Sequence, residues 1–137
     1  MKQSLGLISL VVRSYEDALI FFLTKLSFQL VEDTFIPDQN KRWVVIQPPA
    51  PHSCRLLLAK ASTPEQEACI GKQAGGRVFL FLYTDDFWRD HESMREKGVT
   101  FVREPKVESY GTVAVFRDCE GNLWDLLEPS EQNQSSA

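Results

Sequence analysis

The stretch VAVFRDCEGNLWDLLEP, residues 113–129, decides how this chain is read. Its first part is β-branched and aromatic and ends at Asp118. Gly121-Asn122 follows, a pair that tolerates the left-handed backbone of a tight reversal. Beyond the turn the side chains alternate, so Leu123, Asp125 and Leu127 share one face of a strand and Trp124 and Leu126 the other. Two antiparallel strands are predicted, Thr112–Arg117 and Leu123–Leu127.

Moving outward, Val99–Val107 supplies a strand before this hairpin, and RVFLFLYT at 77–84 supplies another. Between them Asp85 or Asp86 caps a helix running to about Lys97, and Gly98 stands where a left-handed residue ends a helix. The order is β-α-β-β-β, and the first half repeats it. LGLISLVV at 5–12 is β-branched and apolar, which suits a strand buried on both faces. Ser14 offers an N-cap with Asp17 three residues on, and apolar residues at 15, 18, 19, 22, 23 and 26 mark one helical face. Strands are predicted at Phe28–Phe35, Arg42–Gln47 and Arg55–Lys60, separated by the turn-rich runs Pro37-Asp38-Gln39-Asn40 and Pro48-Pro49-Ala50-Pro51. KLSFQLVE at 25–32 echoes KGVTFVRE at 97–104, each just after a helix end, as a duplicated unit would.

The expected fold is α+β, with two tandem βαβββ modules forming a cupped mixed sheet. One domain spans 1–129, with modules at about 5–60 and 77–128. The connection 61–76 has room for one short helix, and the polar tail 130–137 is expected to be disordered. Two such units hide an edge by pairing, and a small ligand suits the concavity between them.

The bulk composition narrows the function. A chain of 137 residues with 43% hydrophobic and 25% charged residues can form a core without disulfides or metals. A net charge of -4 argues against a nucleic-acid partner. No run reaches the length of a membrane span and the N-terminus lacks a signal-peptide core, so a cytoplasmic protein without a membrane partner is expected. Cys54, Cys69 and Cys119 form no CxxC pair and read as isolated thiols in a reducing compartment. There is no nucleophilic triad, P-loop or dinucleotide-binding glycine signature.

VAVFRDCEGNLWDLLEP at 113–129, LVVRSYEDALIFF at 10–22 and TDDFWRDHESMREKGVTFVREP at 84–105 together resemble the vicinal oxygen chelate superfamily. This is the glyoxalase, bleomycin-resistance and ring-cleaving dioxygenase group, and the resemblance covers nearly the whole chain. It implies one metal ligand on each of four strands, usually histidines and glutamates, around a divalent ion that chelates vicinal oxygens. Carried onto this sequence, the first-strand ligand falls on Leu7. The fourth-strand ligand falls on Leu57 (or, one residue away, on Leu56 or Leu58), the fifth-strand ligand on Phe79 and the eighth-strand ligand on Asp125. Three apolar side chains and one carboxylate make a poor divalent site. The chain's two histidines lie elsewhere: His52 is read as solvated in a turn, and His91 as a partly buried structural residue of the second helix.

Alternation then gives the side chains expected to face the concavity. They are Leu7, Ser9 and Val11; Arg55 and Leu57; Arg77, Phe79, Phe81 and Tyr83; and Leu123, Asp125 and Leu127. The phenylalanines either contact a flat ligand or fill the space, and an arginine can take a carboxylate or phosphate. Asp125 is read as paired with Arg77 or Arg55, or as a ligand anchor or general base whose pKa burial raises. Tyr110, in the turn before the seventh strand, is placed to lean over the mouth. Trp43 and Trp124 are read as core or interface residues, and Trp88 as packing between helix and sheet.

The function expected is metal-independent binding of an apolar or aromatic small molecule, with no cofactor and, from the resemblance, a homodimer. The rival expectation is a lyase, isomerase or dioxygenase, either metal-dependent or using Asp125 as acid and base.

Overall fold

The computed structural model describes residues 1–131, so the tail expected to be disordered lies, from residue 132 on, outside the described residues. The chain divides into two compact units, Met1–Ile70 and a second beginning at Gly71.

The first unit holds β1 (Leu7–Val12), α1 (Tyr15–Leu19), β2 (Gln29–Ile36), β3 (Lys41–Gln47), β4 (Arg55–Lys60) and α2 (Pro64–Cys69). Its sheet has the order β1-β4-β3-β2, with β1 parallel to β4 and the other pairs antiparallel. Ser14 caps α1 as its sequence position suggested, accepting from Asp17 N at 3.3 Å. The helix then loosens into a π-helical stretch, Ile20–Lys25, where the Thr24 hydroxyl donates to the Ile20 carbonyl. The wider turn rotates the apolar face, so Ala18, Phe21, Phe22 and Leu26 are buried while Leu23 is only half-buried. That face covers Leu10, Val12, Val44, Ile46, Leu56 and Leu58 on one side of the sheet. Arg42 ties the β2–β3 hairpin to α1. It pairs with Asp33 at 2.6 Å and with Glu16, and its guanidinium lies 4.9 Å from the centre of the Tyr15 ring. These bonds hold the Asp33 carboxyl below its ordinary pKa.

The first strand, expected from its apolar and β-branched residues to be buried on both faces, is not. In β1 Leu10 and Val12 are buried, whereas Leu7 and Ser9 are exposed. A strand at the edge of a sheet with one covered face needs burial only on alternate residues. The connection between modules contains the expected short helix, α2, whose N-cap Thr63 accepts from Gln66 N at 3.1 Å.

The second unit repeats the plan with β5 (Val78–Tyr83), α3 (Phe87–Glu96), β6 (Phe101–Glu108), β7 (Gly111–Arg117) and β8 (Leu123–Pro129), in the order β5-β8-β7-β6. Asp86 is the cap of α3, accepting from Arg89 N at 3.2 Å, and Gly98 closes the helix with a φ of 89°. Glu128 adds a bond that the sequence did not reveal: its Oε1 accepts from Phe87 N at 2.8 Å, tying β8 to the start of the helix. Phe87, His91 and Met94 form the buried stripe of α3 and rest over Phe101, Phe116 and Trp124. Trp88 does not pack between helix and sheet. It is one residue off that stripe and stands exposed, its indole edge-on to Phe87 at 4.9 Å.

The turn quoted at the outset is held by Asp118. Its carboxylate, buried, accepts from Glu120 N (2.9 Å), Asn122 N (3.0 Å), Asn122 Nδ2 (3.2 Å) and Trp124 Nε1 (2.9 Å). Only Gly121 uses the left-handed region, at a φ of 102°. Asn122 Oδ1 in turn accepts from Gln73 N at 3.3 Å, and a Cβ on Gly71 would sit 2.4 Å from the Glu120 carbonyl oxygen. The segment entering the second unit therefore lies directly on this turn.

His91 is only 6% exposed, stacked on Phe87 and against Phe101, and makes no hydrogen bond among the described residues. Burial, with Arg95 nearby, lowers its pKa below 6.5, and Glu104 opposes the shift. As pH falls through 6.5 the unfolded chain takes up a proton that the folded chain does not, until the lower folded value is reached. Stability therefore declines with acidity across that window. His91→Phe should flatten this decline: urea melts between neutral and mildly acid pH will show a smaller loss than the parent, while an unchanged slope would show that His91 is not responsible.

Candidate functional site

Each sheet has one face covered by its helix and one that is not, and the uncovered faces carry the side chains singled out above. In the first unit Leu7 stands opposite Arg55 and Ser9 opposite Leu57 on the parallel β1–β4 ladder, with Val45 beside Leu57 on β3. Trp43 lies two residues from Val45 on the same face and is exposed rather than core. Arg55 Nε donates to Gln47 Oε1 at 2.9 Å, and Gln47 Nε2 donates to the Ala50 carbonyl at 2.8 Å. This arginine is therefore engaged within its own unit.

In the second unit a bulge changes the expected set. Val78 stands opposite Leu123 but Leu80 opposite Trp124, so β5 carries one extra residue there. Phe79 is that residue and has no counterpart on β8. Phe81 stands opposite Asp125 and Tyr83 opposite Leu127, which places both aromatics with the carboxylate on the uncovered face. Leu80 and Leu82 pair with Trp124 and Leu126, the helix-covered side. Arg77, exposed, lies before the bulge, so alternation no longer ties it to the face of Phe81. Tyr110 is half-exposed in the turn before β7, its carbonyl accepting from Ser130 N at 2.9 Å.

Phe81 is 58% exposed and Tyr83 65%, large values for aromatics on a strand. Asp125 is half-buried, between Phe81 on β5 and Val115 on β7. Among the described residues it has no hydrogen bond and no ion pair, so within its own unit the expected bridge to Arg77 is not formed. Desolvation raises its pKa, and Arg103, on the same face two strands away, opposes the shift. Sequence reading missed Arg103 because β6 carries register shifts that break simple alternation.

The four strand positions where the resemblance puts metal ligands do not fit a divalent cation. Leu7 on β1, Leu57 on β4 and Phe79 on β5 are apolar, and only Asp125 on β8 carries a group that could coordinate. Among the described residues no three His, Cys, Asp or Glu side chains gather closely enough to hold an ion.

The profile of the Glyoxalase/Bleomycin resistance protein/Dioxygenase superfamily matches residues 4–126. The chain belongs to that superfamily. A relative from Shewanella frigidimarina (strain NCIMB 400), itself an uncharacterized protein, is 57% identical over 132 residues, covering 96% of this chain and 98% of its own. Among solved structures, UcmS2 is 29% identical with a TM-score of 0.80, over 93% of this chain and 98% of its own. TnmS3, an antibiotic binding protein from Streptomyces sp. CB03234, is 28% identical with a TM-score of 0.75, over 94% and 98%. The α+β architecture of two βαβββ modules, each a four-stranded mixed sheet, is the glyoxalase fold of this superfamily. Among the described residues no helix is long and apolar enough to cross a membrane.

Proposed function

We propose that this superfamily member binds a small apolar or aromatic molecule on its uncovered sheet faces and does so without a metal ion. The observation that carries the reading is the aromatic pair Phe81 and Tyr83, held out beside Asp125 on the one face of the second sheet that no helix covers. Exposed aromatics of this size are unfavourable in water, and a flat ligand laid over them recovers that loss with stacking. The relation to TnmS3 supports the class of function, since that protein binds an antibiotic. Of the remaining candidates, Leu7 and Leu57 are apolar residues of the first sheet's uncovered face, with the Ser9 hydroxyl among them and Arg55 at its margin, and Phe79 and Tyr110 lie at the edges of the second sheet.

Equilibrium dialysis against naphthylethanol and against flat polycyclic antibiotics is the direct test. Saturable binding with a dissociation constant on the order of micromolar is expected. Failure of every compound to bind at about a thousandfold higher concentration would sink the reading.

We also propose a cytoplasmic homodimer. Leu7 and Trp43, left exposed on the uncovered face of the first sheet and apart from the aromatic pair, are apolar surface that a second copy can cover. Sedimentation velocity should give twice the chain mass, and a monomer at every concentration would reject the pairing. A second reading, a metal-free lyase or isomerase, is favoured by the raised pKa of Asp125, the property a proton shuttle needs.

A further inference from the structure

We propose that the ligand of the second sheet is an aromatic molecule carrying a hydrogen-bond donor, best a protonated amine, with Asp125 as its anchor and Phe81 and Tyr83 as its stacking surface. This rests on the binding function proposed above and names the chemical class of what is bound.

The geometry that supports it is local to four strands. Phe81 is directly across the β5–β8 ladder from Asp125, so a ring lying on Phe81 places its substituents within reach of the carboxylate. Tyr83, two residues on, extends the same surface. On the other side of Asp125 stands Val115, which is buried and offers no polar atom from its side chain. Leu123 and Leu127 flank it along β8. The carboxylate is thus set in an apolar surround and left without a donor among the described residues. Half-buried in that surround, it is an acceptor open to a ligand's donor, and the low local polarity strengthens the bond it accepts.

The cations on that face do not fill the role. Lys106 is paired with Glu108 at 3.1 Å on β6. Arg117, opposite Leu123, is exposed at the end of β7. Arg103 is opposite Val115, two strands from Asp125, roughly 10 Å at the usual strand spacing. Its charge reaches Asp125, opposing the shift that burial imposes, but among the described residues it makes no hydrogen bond or ion pair with the carboxylate, which stays open to a ligand's donor. An amine seated there makes a charge-assisted bond, the stronger kind.

Three probes of one shape separate the possibilities: naphthylethylamine, naphthylethanol and naphthylacetate, each titrated calorimetrically into the full chain at neutral pH and low salt. The amine should bind about tenfold more tightly than the alcohol and more tightly still than the acid. Asp125→Asn should remove most of the amine's advantage, with thermal unfolding confirming that the variant is folded. Equal affinity for all three would overturn the assignment while leaving a general aromatic site standing. A preference for naphthylacetate would overturn it in favour of Arg103. No binding by any of the three would overturn this assignment, and with it the function on which it rests if the flat polycyclic compounds fail as well.

Discussion

Asp118→Ala should cost about 3–5 kcal/mol of folding free energy, a large part of what a domain of this size has. The carboxylate is buried and satisfies four donors at once, from the backbone at Glu120 and Asn122, the Asn122 amide and the Trp124 indole. Truncation removes the acceptor that all four share, and donors on buried residues cannot turn to water. Asp118→Asn keeps the volume but replaces one acceptor oxygen with a donor facing other donors, so it should recover only part of the loss. Guanidinium unfolding read through tryptophan fluorescence would follow both variants. A loss under about 1 kcal/mol for the alanine would mean that the turn holds without its carboxylate.

The largest effect on binding is expected from Phe81→Ala together with Tyr83→Ala. Each ring covered by a ligand contributes on the order of 1 kcal/mol of stacking and burial, so the pair should lower affinity for naphthylethanol roughly tenfold to a hundredfold. Because both rings are mostly exposed, the same substitutions should leave stability within about 1 kcal/mol of the parent. Dialysis beside urea melts reads the two quantities separately. Affinity unchanged by the double substitution would place the site elsewhere.

The fold was legible because its signals have local causes. Ser14, Asp86 and Gly98 do what capping residues do wherever the chain places them, and the alternation in β8 survives into the structure intact. What escaped was set by longer-range geometry. Alternation put Phe79 on one face with Phe81 and Tyr83, but the extra residue in β5 leaves Phe79 without a counterpart, and nothing in RVFLFLYT announces the bulge. The π-helical widening at Ile20–Lys25 turns Phe21 inward, against a face counted at the ordinary helical period. Asp118 was visible as the end of a strand, but its four donors meet only once the turn has closed. The largely apolar run of β1 suggested two covered faces, when the second face carries the exposed Leu7 and Ser9 of the candidate surface.

In each sheet the first strand pairs in parallel with the last, β1 with β4 and β5 with β8, joining segments roughly 45 residues apart. Closing such long loops is slow, so each module should fold late and all at once rather than zip up from one hairpin. During synthesis β5 has no neighbour until β8 leaves the ribosome, and β8 is an interior strand, gripped by β5 and by β7. Shortening the chain into Leu123–Pro129 would therefore strand two ladders, and fusions or tags belong beyond that segment.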